Sequence, residues 1–267
     1  MVLDALFIAV FHWGVVGAAI ATGVSQCVGG LFPLFYFALP NKSSLKLTKA
    51  RFELAPLLKA CTNGSSELMS NVSTSLVSIL YNFQLMRIAG ENGVATYGVL
   101  MYVQFIFIAI YVGYSVGCAP IIGYHYGADN HAELKNMLKK SILIMCILGI
   151  TQMLLGLLLA PVLSHIFVGY DAQLCEMTIQ AFRIFALSFI LAGINIFTSA
   201  FFTALGNGPI SAAVSFLRTL VFQVAAVLVL PLILGINGIW LSNTFAEICA
   251  VFISITFLIT KRKKYHY

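Results

Sequence analysis

Glu67 stands inside a run, CTNGSSELMSNVSTSLVSILYNFQLMR (Cys61–Arg87), that otherwise reads as a membrane-crossing helix with one polar side. An unpaired carboxylate in hydrocarbon costs about 2.5–3.5 kcal/mol, so such a residue faces a cavity or a partner. At helical spacing Glu67, Asn71, Ser75, Ser78 and Asn82 share one face, while Leu68, Leu76, Ile79 and Leu80 lie away from it. The stripe has two readings. It lines a polar cavity in which the carboxylate takes up a proton or a cation, or it is hydrogen-bonding glue between packed helices. A second deeply placed acid, Glu247, has Asn243, Ala250 and Ser254 on its face, and Arg218 is the ion-pair candidate for one of the two acids. A buried Glu–Arg pair that only fixes helix packing is the structural reading of Glu247 and Arg218. Asn195, with Ser188 and Ser199 on its face, divides in the same way between cavity lining and glue. Glu67 is thus the candidate ion-coupling residue, and Asn71, Asn82, Asn195, Arg218 and Glu247 are candidates for a substrate cavity.

The elements that carry these residues are membrane helices. The 267 residues are 60% hydrophobic and 9% charged, with mean hydropathy +0.97, whereas soluble domains carry about 25% charge. Apolar runs near Gly14–Leu39, Cys61–Arg87, Val94–Ala119, Leu138–Leu163, Met177–Leu205, Ile210–Leu234 and Ile236–Ile259 predict seven spans. A barrel would show alternating strands. The fold class is therefore an all-α polytopic membrane protein. The net charge of +6 does not indicate a nucleic-acid partner, because the basic residues sit in short tracts beside apolar runs. Lys42, Lys46, Lys49 and Arg51, then Lys135, Lys139 and Lys140, then Lys261, Arg262, Lys263 and Lys264 all fall on one side of the seven-span topology. Turns at 12–16, 164–176 and 235–238 hold no Lys or Arg, which puts the C-terminus in the cytoplasm of a multi-pass cell-membrane protein. Arg87, beside Glu91, is the one dissenter, and Arg183 is expected to snorkel to the outer interface. Six scattered cysteines form no C-x-x-C pair and predict neither a disulfide framework nor a metal centre.

A weak internal repeat orders the chain further. GVVGAAIATGVSQ (Gly14–Gln26) aligns with GINGIWLSNTFAE (Gly235–Glu247), each opening a span at the same membrane face. This divides the chain into a remnant of a first lobe (1–39), a cytoplasmic linker (40–53), a six-span lobe (54–260) and a basic tail (261–267).

Several motifs then resemble one family in the right order. GYSVGCAPIIGYHYGADN (Gly113–Asn130), followed by ELKNMLKKS, resembles the loop after the eighth span of MATE (multidrug and toxic compound extrusion) transporters, with His125 where Asn is usual. LDALFI and GVVGAAIAT (Leu3–Thr22) resemble that family's fifth and sixth spans. SAFFTALGNG (Ser199–Gly208), SFLRTL (Ser215–Leu220) and GINGIW (Gly235–Trp240) resemble its tenth to twelfth. The resemblance implies a complete C-terminal six-helix bundle preceded by the last span or so of an N-terminal bundle, with spans one to four and most of five lacking. It implies an antiporter that exports amphipathic, often cationic small molecules by alternating access, coupled to H+ or Na+ without an organic cofactor. It also implies that Glu67 matches a cation-binding acid of the seventh span and that Asn195 stands on the tenth span, where an acid is usual.

Three rivals remain open. A truncated half-transporter would need the missing lobe from a second copy or another polypeptide, since alternating access rocks one bundle against another. A lipid or polysaccharide flippase of the same superfamily would be expected to have more basic cavity residues than Arg183 and Arg218. An enzyme finds only Gly113–Gly117 as a G-x-S-x-G match, with Ser115 inside an apolar span and no mid-span His to activate it.

Overall fold

The computed structural model describes residue 3 and residues 5–39 and 53–267; the basic linker cations Lys42, Lys46, Lys49 and Arg51 lie outside the described residues. The chain forms two compact units, Met1–Leu54 and Ala55–Tyr267. In the first, a π-helical turn at Ala5–Val10 leads into α1, Gly14–Ala38. Stacking of Phe7 on Trp13, 5.3 Å between ring centroids, closes the corner between them. Leu39 is extended, as the residue before Pro40 is biased to be.

The second unit is built from helices throughout its described residues. α2 spans Leu54–Gly127 and is two limbs, 54–89 and 91–127, broken at Gly90, where φ is 63° and ψ is −152°. Any side chain would strain that position, so glycine is what permits the reversal. α3 is His131–Val168, α4 Ala172–Ala186, α5 Phe189–Ala204, α6 Gly208–Phe216, α7 Gln223–Leu234 and α8 Ile236–Tyr265, with a π-helical turn, Leu217–Phe222, between α6 and α7. Side-chain caps start three of them. Asn130 accepts from Glu133 N, Asp171 from Gln173 N and Leu174 N, and Asn207 from Ile210 N. By length and apolarity α1, α2, α3, the α6–α7 stretch and α8 can each cross a membrane, and so can α4 and α5 taken as one bent pair.

Two of the expected uninterrupted spans are in fact interrupted. The run Met177–Leu205 bends by 49° between α4 and α5. Its sequence holds no proline there; Leu187 N and Ser188 N fall back to i−3 carbonyls, and the Ser188 hydroxyl donates to Phe185 O at 2.8 Å. Tyr111 on the second limb of α2 donates to Phe189 O at 2.8 Å. Gly149 on α3 seats the bend, because a Cβ there would lie 2.6 Å from Ile190 O. The run Ile210–Leu234 carries the π-helical turn, an insertion that recurs at functional positions in helices.

The core is aromatic. Tyr81, Tyr97, Phe107, Phe182, Phe185, Phe189 and Trp240 form one buried cluster, with Tyr81 and Tyr97 stacked at 4.8 Å. At the basic end, Tyr265 and Tyr267 are buried against Phe201 and Phe202. The tail is held by Asn207 Nδ2 donating to the Tyr265 hydroxyl at 2.6 Å and by Tyr267 OH donating to Leu258 O at 3.0 Å. Burial, and then the neighbouring Tyr265, push the Tyr267 phenol up to about 12.

Candidate functional site

Both interruptions converge on one stripe of α8. Arg218, in the π-helical turn, grips Glu247 through Nε to Oε1 at 2.9 Å and to Oε2 at 3.0 Å, and through Nη2 to Oε1 at 2.7 Å. Asn195, on α5 below the bend, donates Nδ2 to Glu247 Oε2 at 2.7 Å and to the Glu247 backbone carbonyl at 3.1 Å. Its Oδ1 accepts from Ser254 Oγ at 2.8 Å. One turn before Glu247, Asn243 donates to Ser188 Oγ at 2.9 Å and accepts from Gln223 Nε2 at 3.0 Å. Arg218 meets Glu247, so the ambiguity over its partner is resolved in favour of that acid.

This cluster is dry on one side and open on the other. The Glu247 side chain is 5% exposed, and that of Arg218 is 19% exposed. Asn195, Ser188 and Ser254 are fully buried. Charge-assisted, two-pronged bonds are the strong kind, and here they replace the water that a buried carboxylate loses. With three N–H donors on its oxygens, the Glu247 carboxylate is occupied. Next to it a hydroxyl cluster ties α5 to α6: Ser199 Oγ lies 2.8 Å from both Ser211 Oγ and Ser215 Oγ, and Thr203 Oγ1 lies 2.6 Å from Ser211 Oγ.

Glu67 stands apart from that cluster. The first limb of α2 buries Ser73, Val77, Tyr81 and Leu85 and leaves Glu67, Asn71 and Ser75 exposed. Among the described residues the Glu67 carboxylate has no hydrogen-bond or ion-pair partner. Within the stripe Asn71 donates to Glu67 O, Ser75 to Asn71 O and Asn82 to Ser78 O, each one turn back on its own helix. The candidates therefore separate. Asn195, Arg218 and Glu247 come together, whereas Glu67, Asn71 and Asn82 form a second region. Leu68, Leu76 and Ile79 are exposed as well, while Leu80 from the apolar face is half-buried against the aromatic core and Ser78 and Asn82 from the polar face are half-buried too.

Tyr81 and Gln223 were not singled out from the sequence. Gln223 follows Arg218 by five residues, a spacing that an α-helix rotates by about 140°, and the π-helical turn restores it to the same side. The Tyr81 hydroxyl is buried beside Gln223 and Ser242 and makes no hydrogen bond among the described residues. Ser115 donates to Tyr111 O at 2.8 Å inside its helix, as a packed hydroxyl does. No group of three or more His, Cys, Asp or Glu gathers to hold a metal among the described residues.

A MatE family model matches residues 68–229. The chain belongs to the MatE family. The match covers Asn71, Asn82, Asn195 and Arg218; Glu67 immediately precedes it and Glu247 lies beyond its end. Among curated MatE relatives, the multidrug export protein MepA of Staphylococcus haemolyticus (strain JCSC1435) is 24% identical over 266 residues, 99% of this chain and 58% of that protein. MepA of Staphylococcus saprophyticus is 26% identical over 254 residues, 94% of this chain and 55% of that protein. The chain spans little more than half the length of these relatives. An outward-facing multidrug resistance MATE transporter of the MOP superfamily superposes with a TM-score of 0.89 at 25% identity, covering 99% of this chain and 60% of that one. A MATE in complex with MaL6 gives 0.91 at 24% identity, with the same coverages. This MatE chain is a multi-pass helical membrane protein.

Proposed function

We propose that this chain forms the C-terminal lobe and the adjoining sixth span of an exporter for amphipathic, often cationic small molecules. It works in a cell membrane by alternating access, with the basic tail in the cytoplasm. Glu67 is the coupling residue, exchanging H+ or Na+ against substrate. One observation carries this: Glu67 is an exposed carboxylate without a described partner, in the polar stripe of a membrane-crossing limb. Such a residue requires a water-filled cavity. Glu247 has its cation already in Arg218, so it serves as the fixed anchor of the lobe, with Asn195 beside it. Asn71 and Asn82 line the cavity with Glu67.

The test is dye efflux from proteoliposomes holding the purified chain, under an imposed pH gradient and then a sodium gradient. Efflux that Glu67→Gln abolishes and Glu67→Asp retains supports the reading. Equal efflux in parent and Glu67→Gln rules out Glu67 as the coupling residue. The exposure of Glu67, Asn71 and Ser75 on the surface of the Ala55–Tyr267 unit favours a second reading, in which this face is completed by a lobe from a second copy or another polypeptide. In that case the chain alone is silent, and co-reconstitution with the N-terminal spans of a relative starts efflux.

A further inference from the structure

The last turns of α8 change character abruptly. From Ile248 to Thr260 the helix holds no charged residue, and Lys261, Arg262, Lys263 and Lys264 then follow without a break. No Asp or Glu stands after Glu247, and none of the four cations makes an ion pair among the described residues. Arg262 is spent on the tail, its Nε donating to Tyr267 O at 3.1 Å. Lys263 and Lys264 are exposed, and the Lys264 ammonium rests 5.3 Å from the centre of the Tyr265 ring. At 1.5 Å per residue the part of α8 before Lys261 is about 37 Å long, enough to cross roughly 30 Å of hydrocarbon. The four cations therefore stand at head-group depth.

Below them the same helix carries a groove. Phe222 from the π-helical turn and Cys249, Phe252, Ile253, Thr256 and Phe257 from α8 line a space of about 360 Å³. Its one hydroxyl is already paired, since Thr256 donates to Phe252 O at 2.7 Å, and Thr260, one turn on, donates to Thr256 O at 2.8 Å. Both threonines are left with a methyl to offer. Cys249, Ile253, Thr256, Thr260 and Lys263 recur at helical spacing, so the floor of the groove runs up to Lys263, with Lys264 beside it. Lys263 lies two turns past Thr256, about 10 Å along the axis.

We propose that the groove and the two lysines together form a binding site for one anionic phospholipid, an acyl chain lying along Phe222, Phe252 and Phe257 and the phosphate meeting Lys263 and Lys264. The occupant must be apolar against the aromatic rings and anionic about 10 Å further along the helix, which is the layout of a lipid whose phosphate stands above its own chain. Zwitterionic lipid fills the groove equally well but brings no net charge to the lysines. Basic clusters directly after a spanning helix attract anionic lipid with a strength of about fivefold in affinity per Lys or Arg. The groove adds a fixed place for the chain, which a charged tail alone does not have. The proposal needs only that α8 crosses a membrane and does not rest on the transport reading.

The probes are palmitoyl-oleoyl phosphatidylglycerol and the matching phosphatidylcholine, titrated into the full chain in detergent and counted by native mass spectrometry. The first phosphatidylglycerol is expected to bind about twentyfold more tightly than phosphatidylcholine, two lysines' worth. Lys263→Gln/Lys264→Gln should remove most of that preference, whereas Lys139→Gln/Lys140→Gln, a charge-matched change at two other exposed lysines, should keep it. All four side chains are exposed, so both variants fold, and an unchanged far-UV circular dichroism spectrum checks this. A phosphatidylglycerol with a diazirine midway along one chain should label Phe222 and the Cys249–Phe257 segment above the rest of the apolar surface. Equal binding of the two lipids, equal loss in both lysine variants, or label spread evenly over the helices overturns the proposal. A lipid-free dimer in the same spectra, with the groove unlabelled, gives the groove to a second copy and overturns it too.

Discussion

Glu67 and Glu247 are both carboxylates inside helices that cross the membrane, and their surroundings are opposite. Around Glu247 two neighbouring elements supply a guanidinium and a carboxamide, and its own helix adds, through Asn195, the Ser254 hydroxyl. Around Glu67 the limb offers only hydroxyls and amides that bond back to their own helix. A charge whose counter-ion is built in fixes the fold. A charge left without one stands exposed, with no contact in the fold to hold it.

The comparison is broken most severely by removing the counter-ion. Arg218→Met leaves Glu247 buried and unpaired, which should cost about 3–5 kcal/mol and appear as a large fall in Tm in detergent. The double variant Arg218→Met/Glu247→Leu should recover most of that loss; if it does not, the pair is more than a strut. Asn195→Ala removes one donor from the carboxylate and orphans the Ser254 hydroxyl, for a loss of about 1–3 kcal/mol in the same measurement. Glu67→Gln should leave stability within about 0.5 kcal/mol of the parent, because no described contact is lost. A drop as large as that of Asn195→Ala would show that Glu67 has a hidden partner and would erase the contrast.

The smallest effect lies outside the membrane, at the tail. The neutral Tyr267 phenol is favoured when docked, so its raised value means stability present below the ordinary tyrosine range near 10 and lost as pH climbs through about 12. The tyrosinate absorbance difference between parent and Tyr267→Phe should therefore titrate near 12. Titration at the ordinary value would mean that the tail is not docked.

Composition and apolar run length were enough to read an all-helical membrane protein with its spans in order, since about 20 apolar residues have no other economical fold. The motif at Gly113–Asn130 and its companions were enough to recognise the family, which the match over residues 68–229 bears out. Spacing also picked out both acids and named Arg218 as a partner for one of them.

What spacing could not choose was which acid. Periodicity describes one helix at a time, and Glu247 obtains Arg218 because α6–α7 and α8 lie side by side, with a π-helical turn aiming the guanidinium. The same turn hid Gln223, which α-helical counting rotates away from Arg218. The bend at Ser188 was equally illegible, with no proline or glycine to announce it. Its freed carbonyls are satisfied by Ser188 itself and by Tyr111 from α2, and its hydroxyl by Asn243 from α8. Sequence alone determined that the chain is a multi-pass helical membrane protein and which charges stand on its apolar helices. Only the tertiary structure decided which charge is neutralised and which is left open, because that depends on neighbours brought together by packing across the bundle.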